Sequence, residues 1–263
     1  MKVLSITGSG RAGGNTETTA GLLERAITRA ATEAGIEAEI ERIRLSAQPL
    51  GICRGCRLCF DQGEDACPLK DETPVIFDRM QKADVILLGS PVYVEDVSGT
   101  VKNWIDRMAY NCHRPGLPGK IAFVYTTAGM GSSGHALRTM ITAFGTWGMT
   151  VVGSMKLRMG AKMAAAEAES AYAGKVDKKA REIIRAWTRG KKCRPSFYSL
   201  LAFRVQQLCW LKEKELETTV DGRFWLQKGW LERKCRYYVP FRANPVKLMA
   251  ARGFGWLVAL FLS

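Results

Sequence analysis

Apolar positions along the first two thirds of the chain alternate between a strand period and a helix period. Lys2 to Thr7 is a short β-branched run that breaks at Gly8-Ser9-Gly10, the pattern of a buried strand entering a tight turn. Asn15 or Thr16 can cap a helix to about residue 34, with Leu22, Leu23, Ala26, Ile27 and Ala30 on one face and Gly35 closing it. Residues 37–45 alternate as a second strand, and 71–82 read as a helix leading into the apolar run 84–90. A helix near 99–109, a strand at 121–126, a helix at 134–147 and a fifth strand at 150–155 follow. The helix at 170–189 turns Val176, Ala180, Ile183, Ile184 and Trp187 inward. Parallel strands need helical crossovers, so five strands with intervening helices predict an α/β, doubly wound parallel sheet with helices on both faces.

Beyond residue 190 the pattern changes. Residues 199–217 read as an amphipathic helix with Leu201, Val205, Leu208 and Leu211 in register, and Asp221 is placed to cap a second helix bearing Trp225 and Trp230. The division expected is 1–190 as one α/β domain, with a loop at 50–68, and 191–263 as a basic, aromatic, mainly helical extension.

Charge sharpens that division. The chain of 263 residues has a net charge of +14, and between positions 190 and 252 fourteen Lys or Arg face five Asp or Glu. The final stretch, GFGWLVALFLS, is uncharged but too short to span a bilayer, which takes about 20 residues. It fits packing on the α/β domain or across a subunit interface, with peripheral contact to anionic lipid as the alternative. A basic, aromatic segment also raises nucleic acid, but no binding module accompanies it, and none is expected as a partner. The N-terminal apolar run is too short for a signal peptide, which predicts a cytoplasmic protein, membrane-associated only through the C-terminal segment.

In a doubly wound sheet the ligand sits beyond the carboxyl ends of the strands. Three strand-end loops there are unusual. GSGRAGGNTE (8–17) is small and hydrogen-bonding and rises into a helix N-terminus, where free N–H groups and the dipole hold a phosphate. It has neither a Walker lysine nor a GxGxxG turn, and an ordinary glycine-rich turn accounts for it as well. In SPVYVEDVSG (90–99), Pro91 stiffens the turn and Tyr93 offers a flat face with a polar tip, suited to a planar ring or simply to covering the sheet end. TTAGMGSSGH (126–135) permits close backbone approach; His135 has no paired acid or nucleophile beside it in sequence and reads as a local polar contact.

Taken together, GSGRAGGNTE, GSPVYVEDVSGTVKNWIDR and TTAGMGSSG resemble the NADPH-dependent FMN reductase family of the flavodoxin-like superfamily, over roughly the first 190 residues. The resemblance implies a flavodoxin-like domain binding FMN, with Ser9, Arg11, Asn15 and Thr16 at the phosphate. Pro91, Val92 and Tyr93 would line the ribityl chain and ring edge, and Thr127, Ala128 and Gly129 the other side. The physical reading agrees, since a dianion suits a helix N-terminus and a flavin needs a slot of small residues with one aromatic wall. Gly10 departs from the family, which often has proline there. The resemblance also implies NAD(P)H or a ferredoxin-like donor, a small-molecule acceptor, and a homodimer or homotetramer.

Four of the eight cysteines, Cys53, Cys56, Cys59 and Cys67, fall in one loop with spacing C-x2-C-x2-C-x7-C and a proline after the last. Zinc sites usually separate two C-x2-C pairs by a longer stretch. Successive C-x2-C thiolates around one centre commonly hold a 4Fe-4S cluster, and bacterial ferredoxins share the run and the trailing proline. The iron–sulfur flavoproteins of the resembling family have a compact cysteine motif at this place; unliganded thiols are the alternative. Glu64 and Asp65 add negative charge that would lower the potential of a cluster. Cys112, Cys193, Cys209 and Cys235 are scattered and read as small hydrophobes or spare thiols. No nucleophile–base pair or carboxylate dyad is evident, so any catalysis falls to cofactors. Two functions follow: an FMN-dependent electron-transfer oxidoreductase, or a non-catalytic flavodoxin-like protein whose cysteine loop senses oxidant or metal.

Overall fold

The structure is a computed structural model and describes residues 1–189, 194–214 and 216–261. Cys193 and the division at residue 190 lie outside the described residues, as does the end of the chain from residue 262. The strands are β1 Lys2–Thr7, β2 Glu39–Arg44, β3 Val85–Tyr93, β4 Asp96–Val97, β5 Ile121–Ala128 and β6 Thr150–Arg158. The helices are α1 Asn15–Glu33, α2 Leu58–Asp61, α3 Thr73–Lys82, α4 Gly99–Arg107, α5 Gly134–Thr146, α6 Ala165–Thr188, α7 Phe197–Lys212, α8 Val220–Gln227 and α9 Pro245–Leu260.

Five strands pair in parallel in the order β2-β1-β3-β5-β6, the flavodoxin-like arrangement expected, and β4 pairs antiparallel with the far end of β3. The central strands β1, β3 and β5 are buried on both faces, as their unbroken apolar runs require. One face is covered by α3, α4 and α5 through Ile76, Met80, Trp104, Met140 and Phe144. The other is covered by α1 and α6 through Leu23, Ile27, Val176 and Ile183. Burying these two layers removes the apolar surface that drives folding. A third cluster, built on Leu200, Phe203, Trp225, Trp230, Tyr237, Tyr238 and Ala251, joins α7, α8 and α9.

Four local expectations are corrected. Gly14, extended, is the cap of α1, so Asn15 and Thr16 lie inside its first turn rather than before it. Strand β3 runs on to Tyr93 because β4 gives it a partner, with Val92 opposite Val97. Thr219, not Asp221, caps α8 by accepting from the Gly222 N–H, because the Asp221 carboxylate is committed elsewhere. In α7 the buried positions are Leu200, Phe203 and Gln207, while Leu211 is exposed. The reason is that α9 lies against α7 and leaves this helix, apolar nearly all round, without one clear stripe.

Candidate functional site

The three strand-end loops meet beyond the carboxyl ends of β1, β3 and β5. At the first, the N–H of Gly8 donates to the carbonyl of Gly89 at 2.8 Å, which ties β1 to β3 at the point where the chain leaves the sheet. Only glycine fits at position 8, since a Cβ there would lie 2.0 Å from a methyl of Val101. No side chain caps α1, so its first-turn N–H groups face the loop without the hydroxyl or carboxylate partner that most helices provide. That arrangement suits an anion from outside the chain.

The residues predicted for the phosphate divide by what they touch. Ser9 is buried, and its hydroxyl donates to the Arg11 carbonyl at 3.0 Å and accepts from the Arg11 N–H at 3.2 Å, closing a small turn. Arg11 is exposed at the loop surface. Asn15 braces a neighbouring loop: its Nδ2 donates to the carbonyls of Met159 and Gly160, and its Oδ1 accepts from the Met163 N–H at 2.9 Å. Thr16 is buried and shares a 2.7 Å hydrogen bond with the hydroxyl of Thr127. Residues from the first and third loops, 111 apart in sequence, are thereby brought side by side.

The second loop is a hairpin. Val94 and Glu95 form its turn with φ of 48° and 64°, left-handed values that a β-branched residue rarely accepts. Pro91 is buried, Val92 is half-buried, and Tyr93 is half-exposed beside the turn. Ser98 fastens the hairpin: its hydroxyl donates to the Gly8 carbonyl at 2.8 Å and its N–H donates to Ser90 Oγ at 3.0 Å. On the third loop Thr127 and Ala128 are buried and Gly129 is open, with His135 exposed at the start of α5. Among the described residues the His135 side chain has no hydrogen-bond partner, so the expected local polar contact is not seen there. The ensemble is a rim of small residues with one aromatic, which fits a planar ligand carrying a phosphate. The left-handed pair at the hairpin tip was not expected, because it lacks the Asn-Gly or Asp-Gly that normally signals such a turn.

Cys53, Cys56, Cys59 and Cys67 all line one cavity of about 850 Å3, floored by Phe77 and Tyr110. All four are free thiols. Burial pushes the Cys59 thiol up, and neighbouring Cys67 and Cys53 push it further. These three sulfurs are close enough to repel one another's charge, which a cation or cluster would relieve. They are not yet gathered: among the described residues no three His, Cys, Asp or Glu side chains are placed to hold a metal ion. The donor set therefore fits a thiolate-bound metal in kind, and it would have to draw inward to bind one.

Two buried arginines hold the cysteine loop, and Arg107 also lines the cavity. Arg107 Nη1 donates to Cys67 Sγ at 2.8 Å, and its Nη2 donates to both carboxylate oxygens of Asp71 at 2.9 Å. Arg114 Nη2 donates to the Cys59 carbonyl at 2.6 Å and to Glu64 at 2.9 Å, while its Nη1 pairs with Asp221 of α8. Glu64 is therefore paired with Arg114, a guanidinium that also faces Asp221, as Arg107 faces Asp71. Neither arginine is recognisable as part of the site in sequence, because they lie 40 and 55 residues from their cysteine partners.

Comparison with known proteins bears on this geometry. The family model for NADPH-dependent FMN reductase matches residues 1–163, which contain all three loops and the four cysteines. The chain belongs to the NADPH-dependent FMN reductase family. Within the reach of this family, an iron-sulfur flavoprotein of Methanocaldococcus jannaschii is 43% identical over 107 residues, covering 41% of this chain and 51% of that protein. The chain thus spans about half the length of that relative. An iron-sulfur flavoprotein of Archaeoglobus fulgidus is 28% identical over 232 residues, covering 88% of this chain and 100% of that one. Among solved structures, RosB with a bound flavin-derived intermediate superposes with a TM-score of 0.54 at 15% identity, covering 70% of this chain and 76% of RosB. A flavone reductase superposes with a TM-score of 0.54 at 17% identity, covering 74% of this chain and 66% of that one. These two show a shared fold and no more.

Proposed function

We propose that this FMN reductase family member is an FMN-dependent oxidoreductase that moves electrons between NAD(P)H or a ferredoxin-like donor and a small acceptor, with a 4Fe-4S cluster on Cys53, Cys56, Cys59 and Cys67. The observation that carries the flavin is the uncapped N-terminus of α1 joined to the third loop by the Thr16–Thr127 hydrogen bond. When bound, FMN accepts two electrons together and releases them singly. The first-turn N–H groups of α1, with Ser9, Arg11 and Thr16, would take the phosphate, and Asn15 would keep the loop in place. Pro91, Val92 and Tyr93 would hold one side of the ring, and Thr127, Ala128 and Gly129 the other. The buried hydroxyls and packed strands beneath exclude water from the inner edge.

The names of the relatives and the shared cavity support the cluster. Arg107 would donate to the Cys67 sulfur in the loaded state, stabilising its thiolate. A second reading has one observation in its favour: Cys56 is an exposed free thiol, as in a loop that senses oxidant or metal.

Anaerobic purification with assay of iron, acid-labile sulfide and FMN per chain decides between them. About four irons and four sulfides per FMN are expected from a 4Fe-4S cluster. FMN without iron would remove the cluster, and a colourless protein would leave the sensing role.

A further inference from the structure

Helix α9 presents two unlike sides. Ala251, Gly255 and Ala259 are buried at a spacing of four residues, and at Gly255 a Cβ would come 2.8 Å from Arg204 Cγ of α7, so the small side is the packed one. The opposite side is large, apolar and open: Met249 is 73% exposed and Trp256 53%, with Val246, Phe254, Leu257 and Leu260 beside them. No charged residue interrupts that side. Soluble surfaces rarely leave such a contiguous patch without an occupant.

The charge around it selects the occupant. From residue 233 to the end of the chain there are six Lys or Arg and no Asp or Glu. Burial, and then a nearby like charge (Arg252 for Arg204, Arg236 for Arg252), lowers the ionisation of Arg204 and Arg252, and none of these three arginines forms an ion pair among the described residues. Arg204 Nε and Arg252 Nη1 are buried donors with no acceptor among the described residues. Those two atoms are closed to solvent, whereas Arg233, Arg236 and Arg242 are exposed and form no ion pair among the described residues. Exposed cations accompanying an apolar face call for anionic oxygen. A second copy of the chain pairing through α9 would instead bring two acid-free, basic segments together. Among the described residues no helix is long and apolar enough to cross a membrane, and sixteen residues of α9 give only about 24 Å.

We propose that α9 is an interfacial anchor that lies in the plane of an anionic lipid surface. Its Met249–Trp256 side enters the headgroup–acyl boundary, and the exposed cations of the acid-free segment, Arg233, Arg236 and Arg242, take the lipid phosphates. Trp256 suits this depth, being apolar in body and polar at one edge.

Co-sedimentation of the full-length protein with vesicles tests this. It is expected to bind vesicles of equal parts phosphatidylglycerol and phosphatidylcholine, and to bind pure phosphatidylcholine about tenfold or more weakly. The double variant Trp256→Glu, Leu257→Glu changes only exposed positions and is expected to lose binding with an unchanged circular dichroism spectrum. Arg236→Gln is expected to weaken binding and flatten its salt dependence. Absence of binding to either vesicle, or equal binding to both, overturns the proposal. So does a wild-type dimer that the double variant converts to monomer while vesicles stay unbound, which would assign the face to a second copy.

Discussion

Asp71 is the acid on which the cysteine cavity's inner wall is assembled. It accepts from the N–H of Gly51 at 2.8 Å and of Thr73 at 3.0 Å, and it holds Arg107 against Cys67. Burial works against its ionisation, but the hydrogen bonds from Thr73, Gly51 and Arg107 outweigh burial and keep the carboxyl below its ordinary value. An unfolded Asp titrates near about 3.9, so the native state binds fewer protons just below that pH. The contribution of Asp71 to stability is therefore fully present above the unfolded value and is lost as pH falls through the folded one. Asp71→Asn is expected to lower stability by about 2 kcal/mol at neutral pH. The gap between urea unfolding curves of variant and wild type should begin to close only as pH falls below about 4 and should vanish once pH is below the folded value, and a gap that persists there would assign the loss to packing. None of this was legible in the sequence. The four cysteines announce themselves by spacing, whereas Asp71 and Arg107 look like ordinary surface charges of two helix ends until the fold buries them together.

At the level of elements, the parallel strands were legible because strands buried on both faces must be continuously apolar, and their helices because each covers one face only. What could not be read was any element defined by its partner. Strand β4 is two residues long and exists because β3 overshoots the sheet to meet it. The turn between them uses Val94 and Glu95 in left-handed conformation, with Val94 fully exposed. Such a residue stores about 1–3 kcal/mol of backbone strain. Val94→Asn, which accepts this conformation more readily, is expected to raise stability by about 1 kcal/mol and to shift the thermal midpoint upward. Should FMN affinity fall while stability rises, the strained tip serves the ligand; an unchanged affinity would make it only a turn. The helix caps misjudged from sequence follow the same logic. Asp221 has the right chemistry for an N-cap, but a buried guanidinium is the stronger claimant for its carboxylate.

For the whole molecule, that claimant is what joins the C-terminal helices to the α/β sheet. Asp221 pairs with buried Arg114 and accepts from His113 Nδ1 at 2.7 Å, and Trp225 Nε1 donates to the His113 carbonyl at 2.7 Å. Gln206 of α7 adds a hydrogen bond to the Cys112 carbonyl. Since Arg114 also holds the Cys59 carbonyl, the extension and the cysteine loop share one side chain. Asp221→Ala removes one partner of a buried pair and is expected to cost about 3–5 kcal/mol. Hydrogen exchange should show faster exchange in residues 53–67 as well as in α8, while β1, β3 and β5 keep their protection. Unchanged exchange in the loop would mean that the extension is attached to the sheet but indifferent to the cysteines.

Arg114 also bears on any attempt to cut the protein down to its flavin-binding portion. A chain ended after α6 would retain the guanidinium and lose the Asp221 carboxylate that neutralises it. Glu64, half-exposed, would be its remaining acid. A shortened protein of this kind calls for a compensating change, Arg114→Met, which fills the same space without a charge to satisfy. The extension is, in this sense, a counter-ion as much as a domain.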